Sequence, residues 1–335
     1  MTDFDKQYLK LAKRILTEGV EVENRTGINT IKVPSHSFHF DLSEEFPILQ
    51  TKQLFFRNAI TEMLWIYQVQ SNDVRWLHER NNHVWDEWMI DSDGIYRTYT
   101  KNEKGEKILK SEKEFGLEYA NTIGTAYGWI VRTYKLIDKL LDALKNNPRD
   151  RRLIMSLWQD IHLATAVLPS CVWSSEWDVT NGKLNAWVHQ RSCDVPLGLP
   201  FNVTQYATLL TLLAKVSGLE PGTLDWSIKD AHIYVNQVDG IKEQISNGKI
   251  LESMDNLSKK DLLEIKKQLE NIKEKDMNIE KTERAVDIAL AQEKPYLWVN
   301  PEIKNFYDYD NSRELKDIKV KEYKHMGKIS FPIAQ

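Results

Sequence analysis

The segment from Gln190 to Asn202 holds the charged, hydroxyl and amide side chains that can bind a small anionic ligand, and it reads QRSCDVPLGLPFN. Its glycine and prolines predict a turn with little room for ordinary core packing. Arg191 and Ser192 offer donors for an anion. Asn202 presents both a donor and an acceptor to the edge of a flat polar ring. We therefore expect a phosphorylated ligand that carries a planar ring.

Cys171 lies upstream of this segment, in the run LPSC. A thiol attacks such a ring only as the thiolate, so it needs a cation or a donor nearby, and Arg191 could supply one. The alternative for a lone cysteine is a small buried apolar side chain. We assign that structural role to Cys193, whose surroundings suggest no chemistry.

Glu62 stands between apolar residues in the predicted helix AITEMLW. Burial raises the pKa of a carboxyl group and suits it to proton transfer near neutral pH. A salt bridge on the face of the helix is the alternative, and the residues themselves leave both open.

Composition limits the class of protein. The chain has 335 residues with 41% hydrophobic content and a net charge of −4, which argues against a general nucleic-acid-binding surface. Two cysteines give no disulfide framework. The N-terminus lacks the basic and apolar regions of a signal peptide, and no apolar stretch approaches the roughly 18 residues that span a bilayer. We expect a cytoplasmic protein with no membrane or nucleic-acid partner.

Other cofactor motifs are missing from the sequence. It has no phosphate loop of the Walker type and no Gly-x-Gly-x-x-Gly, and we find no His, Cys and acid cluster with metal-ligand spacing. The expected chemistry therefore uses no metal and no nicotinamide.

Periodicity predicts an α+β fold, because helices and strands mix without strict βαβ alternation. Helical spacing covers residues 3–19, 57–67, 135–145 and 205–216. Alternating patterns predict strands in 28–42 and through 153–188, with a hairpin turn at Asn181-Gly182.

We expect one domain over residues 1–335 with two added segments. Residues 91–122 are charged and rich in turns, and residues 250–285 are dense in Lys and Glu. Within the second segment, helical spacing of apolar residues predicts an amphipathic helix or a hairpin of two helices. Two interpretations stay open: a helix that packs on the protein's own surface, and an arm that binds a partner.

Together these motifs resemble the thymidylate synthase family over nearly the whole chain apart from the two added segments. The resemblance implies a mixed β-sheet with flanking helices, one sheet face forming a dimer interface. It also implies a methyltransferase that converts dUMP to dTMP. The co-substrate would be 5,10-methylenetetrahydrofolate, which leaves as dihydrofolate, and no metal would take part.

The resemblance assigns the catalytic roles to four residues. Cys171 would add to C6 of the pyrimidine, Glu62 and Tyr127 would manage the proton transfers, and Arg191 would serve both the phosphate and the thiolate. The substrate-binding positions would be Arg25, Arg151, Arg152, Gln190, Arg191, Ser192, Asp194, Asn202, His232 and Tyr234. Asn202 would mark uracil as the base, because an aspartate there would favour cytosine.

Two further implications concern the partner subunit and the cofactor. Arg151 and Arg152 would reach into the neighbouring subunit's site, which implies a homodimer. His232 and Tyr234 would share one strand face and bind the deoxyribose hydroxyl. The positions matching the cofactor site are Trp85, Trp88, Asp194, Leu197, Gly198, Phe201 and Ala334.

The chain departs from the family pattern at several places. Ser170 replaces the usual proline before the cysteine, Val172 replaces a frequent histidine, and Ile130 replaces a common glutamine. The chain ends in Gln335 where the family has an apolar residue. These changes keep two alternatives open: a dUMP hydroxymethylase of the same fold, and a catalytically silent relative that binds nucleotide or its own messenger RNA.

Overall fold

A mixed β-sheet runs through the structure, a computed structural model that describes residues 1–102 and 104–333. The described strands, in chain order, are β1 (Val20–Val22), β2 (Thr30–Asp41), β3 (Ile95–Lys101), β4 (Lys107–Glu114), β5 (Ile154–Ser156), β6 (Val172–Thr180), β7 (Lys183–Gln190), β8 (Cys193–Asp194), β9 (Glu220–Tyr234), β10 (Tyr296–Val299) and β11 (Ile318–Lys321). The main sheet has the order β1-β2-β9-β7-β6-β5, and β8 also pairs with β9. β9 runs parallel to β7 and β8 and antiparallel to β2.

Helices accompany this sheet along the chain, which confirms the predicted α+β class. They are α1 (Asp3–Glu18), α2 (Phe56–Tyr67), α3 (Arg75–His78), α4 (Gly128–Tyr134), α5 (Leu136–Asn146), α6 (Gly198–Val216), α7 (Val238–Asp255), α8 (Lys259–Glu270) and α9 (Met277–Ala289). Short 3₁₀ helices lie at Asp86–Trp88, Leu117–Tyr119, Asp160–Thr165, Val235–Gln237 and Phe306–Asp308. No helix of the described chain is long and apolar enough to cross a membrane.

The two faces of the sheet differ in solvent exposure. Along β7, Leu184, Ala186 and Val188 are buried under the helices, while Trp187 between them is 51% exposed. Because side chains alternate along a strand, the register partners of Trp187 on neighbouring strands lie on its face. We call this the open face; the row that crosses it consists of His39, Asp225, Trp187, Glu176 and Ile154.

Two predicted boundaries are wrong. α6 begins at Gly198, not at residue 205, because Pro200 falls in the first turn of the helix, where a missing N–H costs nothing. Residues 157–171 are not strand; they contain the 3₁₀ helix Asp160–Thr165. The candidate residues Phe201 and Asn202 therefore stand on the first turns of α6, not on a loop.

The two added segments have secondary structure of their own. Residues 91–122 contain the β3–β4 hairpin. Residues 250–285 contain the end of α7, all of α8 and most of α9, as expected for a helical hairpin. Leu262 and Leu269 of α8 pack on Val286 of α9. Leu251 of α7 packs with Ala285 and Met326, so the segment lies on the protein's own surface.

Candidate active site

The β6–β7 hairpin brings the thiol of Cys171 to the guanidinium of Arg191. Asn181 and Gly182 adopt φ values of 52° and 77°, the left-handed conformations of the tight hairpin turn that Asn-Gly favours. The register then slips by one residue between Val172 and Ser174, so Val172 pairs with Gln190. Without this bulge, Cys171 would face Ser192. With it, Arg191 N–H donates to the carbonyl of Cys171 at 2.9 Å.

The side chain of Arg191 is clamped in this position. Its Nε donates to the carbonyl of Ser170 (3.0 Å) and one terminal nitrogen donates to the carbonyl of Pro169 (2.7 Å). The same nitrogen lies 3.8 Å from the Sγ of Cys171. The guanidinium also packs over the ring of Trp158. The other terminal nitrogen has no protein partner in the described chain and is left for an anion.

Burial is the largest influence on the pKa of the Cys171 thiol. It raises the pKa of Cys171 more than Arg191 and Arg25 lower it, and a hydrogen bond with Tyr127 also favours the thiolate. Arg191 thus stands where the sequence suggested, but it does not make Cys171 a free thiolate at rest.

Tyr127 connects the thiol to the next part of the site. Its hydroxyl accepts a hydrogen bond from the backbone N–H of Cys171 at 3.0 Å, and its ring meets Trp85 edge-on at 5.3 Å. Burial raises the pKa of Tyr127 well above its ordinary value, so the phenol is protonated at neutral pH.

Glu62 is a partly buried residue of α2 that bonds to neutral donors, and it does not form a surface salt bridge. Trp85 Nε1 donates to one of its oxygens at 2.7 Å and Gln205 Nε2 donates to the other at 2.6 Å. Burial raises the pKa of Glu62 to about 7, although both hydrogen bonds lower it. The carboxyl group can therefore both hold and release a proton near neutral pH.

A directed relay of hydrogen bonds ends at this carboxylate. Trp226 Nε1 donates to Gln190 Oε1 (3.0 Å), and Gln190 Nε2 donates to Asn202 Oδ1 (3.2 Å). Asn202 Nδ2 then donates to Gln205 Oε1 at 3.2 Å. An indole N–H can only donate and a carboxylate can only accept, so the two ends fix the orientation of all three amides between them.

These contacts close into one ring of neighbours. In order, its members are Cys171, Arg191, Gln190, Asn202, Gln205, Glu62, Trp85 and Tyr127. A thiol, a guanidinium, an amide and a carboxyl group are thus neighbours in one connected set of contacts.

The phosphate and sugar candidates lie beside this ring. Arg25 is exposed but close enough to Cys171 and Tyr234 to lower the pKa of both groups. His232 and Tyr234 meet edge-on with ring centres 5.3 Å apart, as expected for one strand face. Asp230 holds His232 Nδ1 at 3.0 Å. Ser192 follows Arg191, half-buried, between β7 and β8.

Arg151 and Arg152 are placed elsewhere. Both are exposed at the start of β5, and Arg152 pairs with Asp150 at 2.9 Å. Arg151 borders a depression on the open face with Glu176 and Trp187. The structure does not bring this pair to the Cys171 of the same chain.

The cofactor candidates gather where α6 begins. Asp194 accepts from the backbone N–H of Leu197 (3.1 Å) and from Gln237 Nε2 (3.1 Å), and burial raises its pKa. Gln237 also donates to the carbonyl of Pro332 at 3.0 Å, which ties the C-terminal segment to the site. Gly198 and Phe201 lie on the first turn of α6.

The remaining cofactor candidates are Trp85 and Trp88, which we call the aromatic wall, and Ala334 near the C-terminus. Trp85 and Trp88 meet with ring centres 5.6 Å apart. Trp85 is buried, and its indole N–H donates a hydrogen bond to Glu62. Ala334 lies outside the described residues.

Sequence reasoning missed Gln205, Trp226, Gln237 and Lys52 as site residues. Lys52 is buried, and its ammonium packs over the ring of Phe331 near the C-terminus. The signal that could have found Gln205 is an amide on the otherwise apolar buried face of a helix. Trp226 carried no such signal, because a buried tryptophan in a strand is ordinary core.

The fold and site define an α+β protein whose candidate site groups a thiol, a guanidinium, amides and a carboxyl group. The family model described as thymidylate synthase matches residues 6–292. A thymidylate synthase of Clostridium beijerinckii is 40% identical over 334 residues, and thymidylate synthase 1 of Bacillus subtilis is 32% identical over 344 residues; both matches cover the whole of each chain.

A solved structure agrees with these relatives. The thermostable thymidylate synthase A from Bacillus subtilis matches with a TM-score of 0.70 and 33% identity over all of both chains. The chain belongs to the thymidylate synthase family. The expectation of a methyltransferase is confirmed, and the comparisons do not favour the hydroxymethylase alternative.

The raised pKa of Glu62 predicts a pH dependence of stability. Between pH 4.5 and about 7 the folded protein holds a proton on Glu62 that the unfolded chain releases. The contribution of this group is therefore full at low pH and is lost as pH rises through that window, by about 3 kcal/mol in the free energy of unfolding. Urea unfolding at a series of pH values measures the slope.

The Glu62→Gln variant should lose this slope, while Glu264→Gln, a change on the exposed face of α8, should keep it. An unchanged slope in Glu62→Gln would show that the carboxyl group is not the source.

Proposed function

We propose that the chain catalyses the reductive methylation of dUMP to dTMP with 5,10-methylenetetrahydrofolate. The observation that carries this proposal is the closed ring of contacts from Cys171 through Asn202 and Glu62 to Tyr127. It groups a thiol, a cation, an amide that would read the base and a carboxyl group that would carry a proton.

The phosphate of dUMP would bind Arg191 and Arg25. The free terminal nitrogen of Arg191 and the exposed guanidinium of Arg25 offer charge-assisted donors to a dianion. Ser192 adds a hydroxyl beside them. His232 and Tyr234 would bind the sugar hydroxyl from their shared strand face.

Asn202 would read uracil through the orientation that the relay imposes. Its Nδ2 has a second N–H beyond the one given to Gln205, and its Oδ1 has a second lone pair beyond the bond from Gln190. The free N–H would meet O4 and the free lone pair would meet N3–H of the pyrimidine. Cytosine presents the opposite pattern at both atoms.

Cys171 would start the chemistry. Its thiol loses a proton, Sγ forms a bond to C6, and the electron pair of the C5–C6 double bond moves toward C5 and O4. Arg191, 3.8 Å from Sγ, stabilises the transient thiolate. Glu62 and Tyr127 would carry the protons at O4 and C5. At the end the C5 proton leaves, the C5–C6 double bond re-forms, and the S–C6 bond breaks with its electron pair on sulfur. The thiolate then regains the proton that the thiol lost at the start.

The folate would lie between the aromatic wall and the start of α6. It supplies the one-carbon unit and the hydride. Trp88, Leu197 and Phe201 offer half-buried apolar surface, and Asp194 offers a carboxyl group. The contact of Gln237 with Pro332 holds the C-terminal segment over this region, where it would exclude water.

The open face supports a homodimer with shared sites. Trp187 and Ile154 are about half exposed there, a pattern typical of a buried interface in an assembly. A two-fold axis through this face would carry the exposed Arg151 and Arg152 to the partner's phosphate site.

Two broader expectations belong to the same proposal. The chain would act as one domain of residues 1–335 with the two added segments on its surface. The two free cysteines fit a reducing cytoplasmic location.

One assay tests the activity. The protein is mixed with dUMP and 5,10-methylenetetrahydrofolate, the absorbance of dihydrofolate is followed, and the nucleotide product is weighed by mass spectrometry. We expect dTMP and dihydrofolate in equal amounts. A hydroxymethylated nucleotide without dihydrofolate, or dUMP binding without turnover, would overturn the proposal.

Cys171→Ala should abolish turnover while dUMP binding remains measurable, because the variant loses only the nucleophile. Cys193→Ala is the matched control, since this second cysteine is buried in β8 and has no part in the reaction. Retained turnover in Cys171→Ala would refute the assignment.

Asn202→Asp should shift the preference from dUMP toward dCMP, measured as the ratio of kcat/KM for the two nucleotides. A carboxylate cannot donate to O4 or to Gln205, so turnover should also fall. Asn147→Asp, an exposed change after α5, should leave the ratio alone. The same ratio in both variants would contradict the base-reading role.

Mixing two inactive variants tests the shared site. The first variant carries Cys171→Ala, and the second carries both Arg151→Ala and Arg152→Ala. Each variant should be inactive alone. After equal mixing and subunit exchange, about a quarter of the wild-type activity should return, because each mixed dimer holds one intact site. No recovery, in a mixture shown by mass to contain mixed dimers, would place the arginines outside the partner's site.

A further inference from the structure

Three potential metal ligands converge on the surface turn between α3 and the 3₁₀ helix Asp86–Trp88. His78 Nε2 lies 2.7 Å from Asp86 Oδ1, and His83 Nδ1 lies 3.0 Å from Asp86 Oδ2. The two imidazole rings stack with centres 5.1 Å apart and planes at 26°. One atom from each of the three residues lies within 4.8 Å of the others.

We propose that His78, His83 and Asp86 form a binding site for a divalent transition-metal ion of the zinc class. Two imidazoles and one carboxylate are the ligand set that such ions accept, with a fourth position left for water. This proposal is independent of the reaction. The spacing of His78, His83 and Asp86 along the chain fits no common metal-binding motif. The fold of the turn brings the three ligands together.

The turn that presents these ligands is anchored to the core. Leu77 and Asn82, which directly precede His78 and His83, are buried. Asn82 Nδ2 donates to the carbonyl of Asn58 in α2 at 3.0 Å. Asn82 N–H also donates to the carbonyl of Leu77 at 3.0 Å. The backbone beneath the site is therefore fixed before any ion arrives.

The side chains themselves can still adjust. The exposed fractions are 33% for His78, 58% for His83 and 42% for Asp86. Metal–ligand bonds of about 2.1 Å in a tetrahedral site set neighbouring ligand atoms about 3.4 Å apart. The present separations of 2.7 and 3.0 Å need to open by less than about 1 Å, so an ion can replace the N–H protons that now join the imidazoles to the carboxylate.

An ion here would join α3 to the segment of the aromatic wall. Asp86 directly follows Trp85, whose indole holds Glu62, and begins the 3₁₀ helix that ends at Trp88. Binding should therefore stabilise the native chain against unfolding.

Zinc binding to the full-length, chelator-treated protein tests the proposal by calorimetry. We expect one ion per chain and a higher melting temperature with zinc. His83→Asn and His78→Asn should each weaken binding by at least about tenfold and remove the thermal shift. The matched control is His36→Asn, which removes a half-buried histidine of β2 that lies beside Arg14 and outside the open-face row; it should bind like the wild type.

Cobalt separates this site from the thiols. Co²⁺ bound by His78, His83 and Asp86 should lack the intense near-ultraviolet band of a thiolate ligand, whereas binding at Cys171 would show it. Circular dichroism of each variant in chelator confirms its fold. Absence of stoichiometric zinc binding, equal affinity of His83→Asn and His36→Asn, or a thiolate band would each overturn the proposal.

Discussion

The site depends on one constraint, the desolvation of the Glu62 carboxyl group beside two neutral donors. Trp85 and Gln205 occupy one oxygen each, and desolvation still raises the pKa to about 7. A buried acid with fewer partners would be costly, and one with more would ionise fully and lose its value for proton transfer. The amides of Gln190, Asn202 and Gln205 are oriented between this carboxyl group and the indole N–H of Trp226. The orientation of Asn202 therefore depends on two groups with which it has no direct hydrogen bond.

The sheet supplies the rigid frame for this arrangement. β6 and β7 place Cys171 and Arg191, β9 places Trp226, His232 and Tyr234, and α6 carries Asn202 and Gln205 across the ends of those strands. Because α6 is buried along most of its length, its polar residues at the site cannot turn to solvent and must pair with each other. The functional groups are therefore positioned by elements whose stability comes from apolar packing elsewhere.

Several elements of the fold could be predicted from particular residues. The Asn-Gly turn predicted the β6–β7 hairpin, and the apolar spacing of α1, α2 and α5 predicted those helices, because the local conformation there agrees with the tertiary environment. The beginning of α6 was missed because prolines and a glycine look like a turn when their position in the first helical turn is unknown. The relay was missed because its members are far apart in the chain, and amide residues carry no periodic signal.

The sequence by itself determined the kinds of chemistry available: a cysteine, an acid between apolar residues, several arginines and an asparagine in family-like surroundings. Only the tertiary structure decided their relations. A one-residue bulge places Arg191, and not Ser192, opposite Cys171. Burial, and not the neighbouring cations, decides that the pKa of the Cys171 thiol is raised and not lowered. His78, His83 and Asp86 meet only because a turn folds over a buried Asn82. Distances and desolvation are properties of packing between distant segments, and local sequence does not encode them.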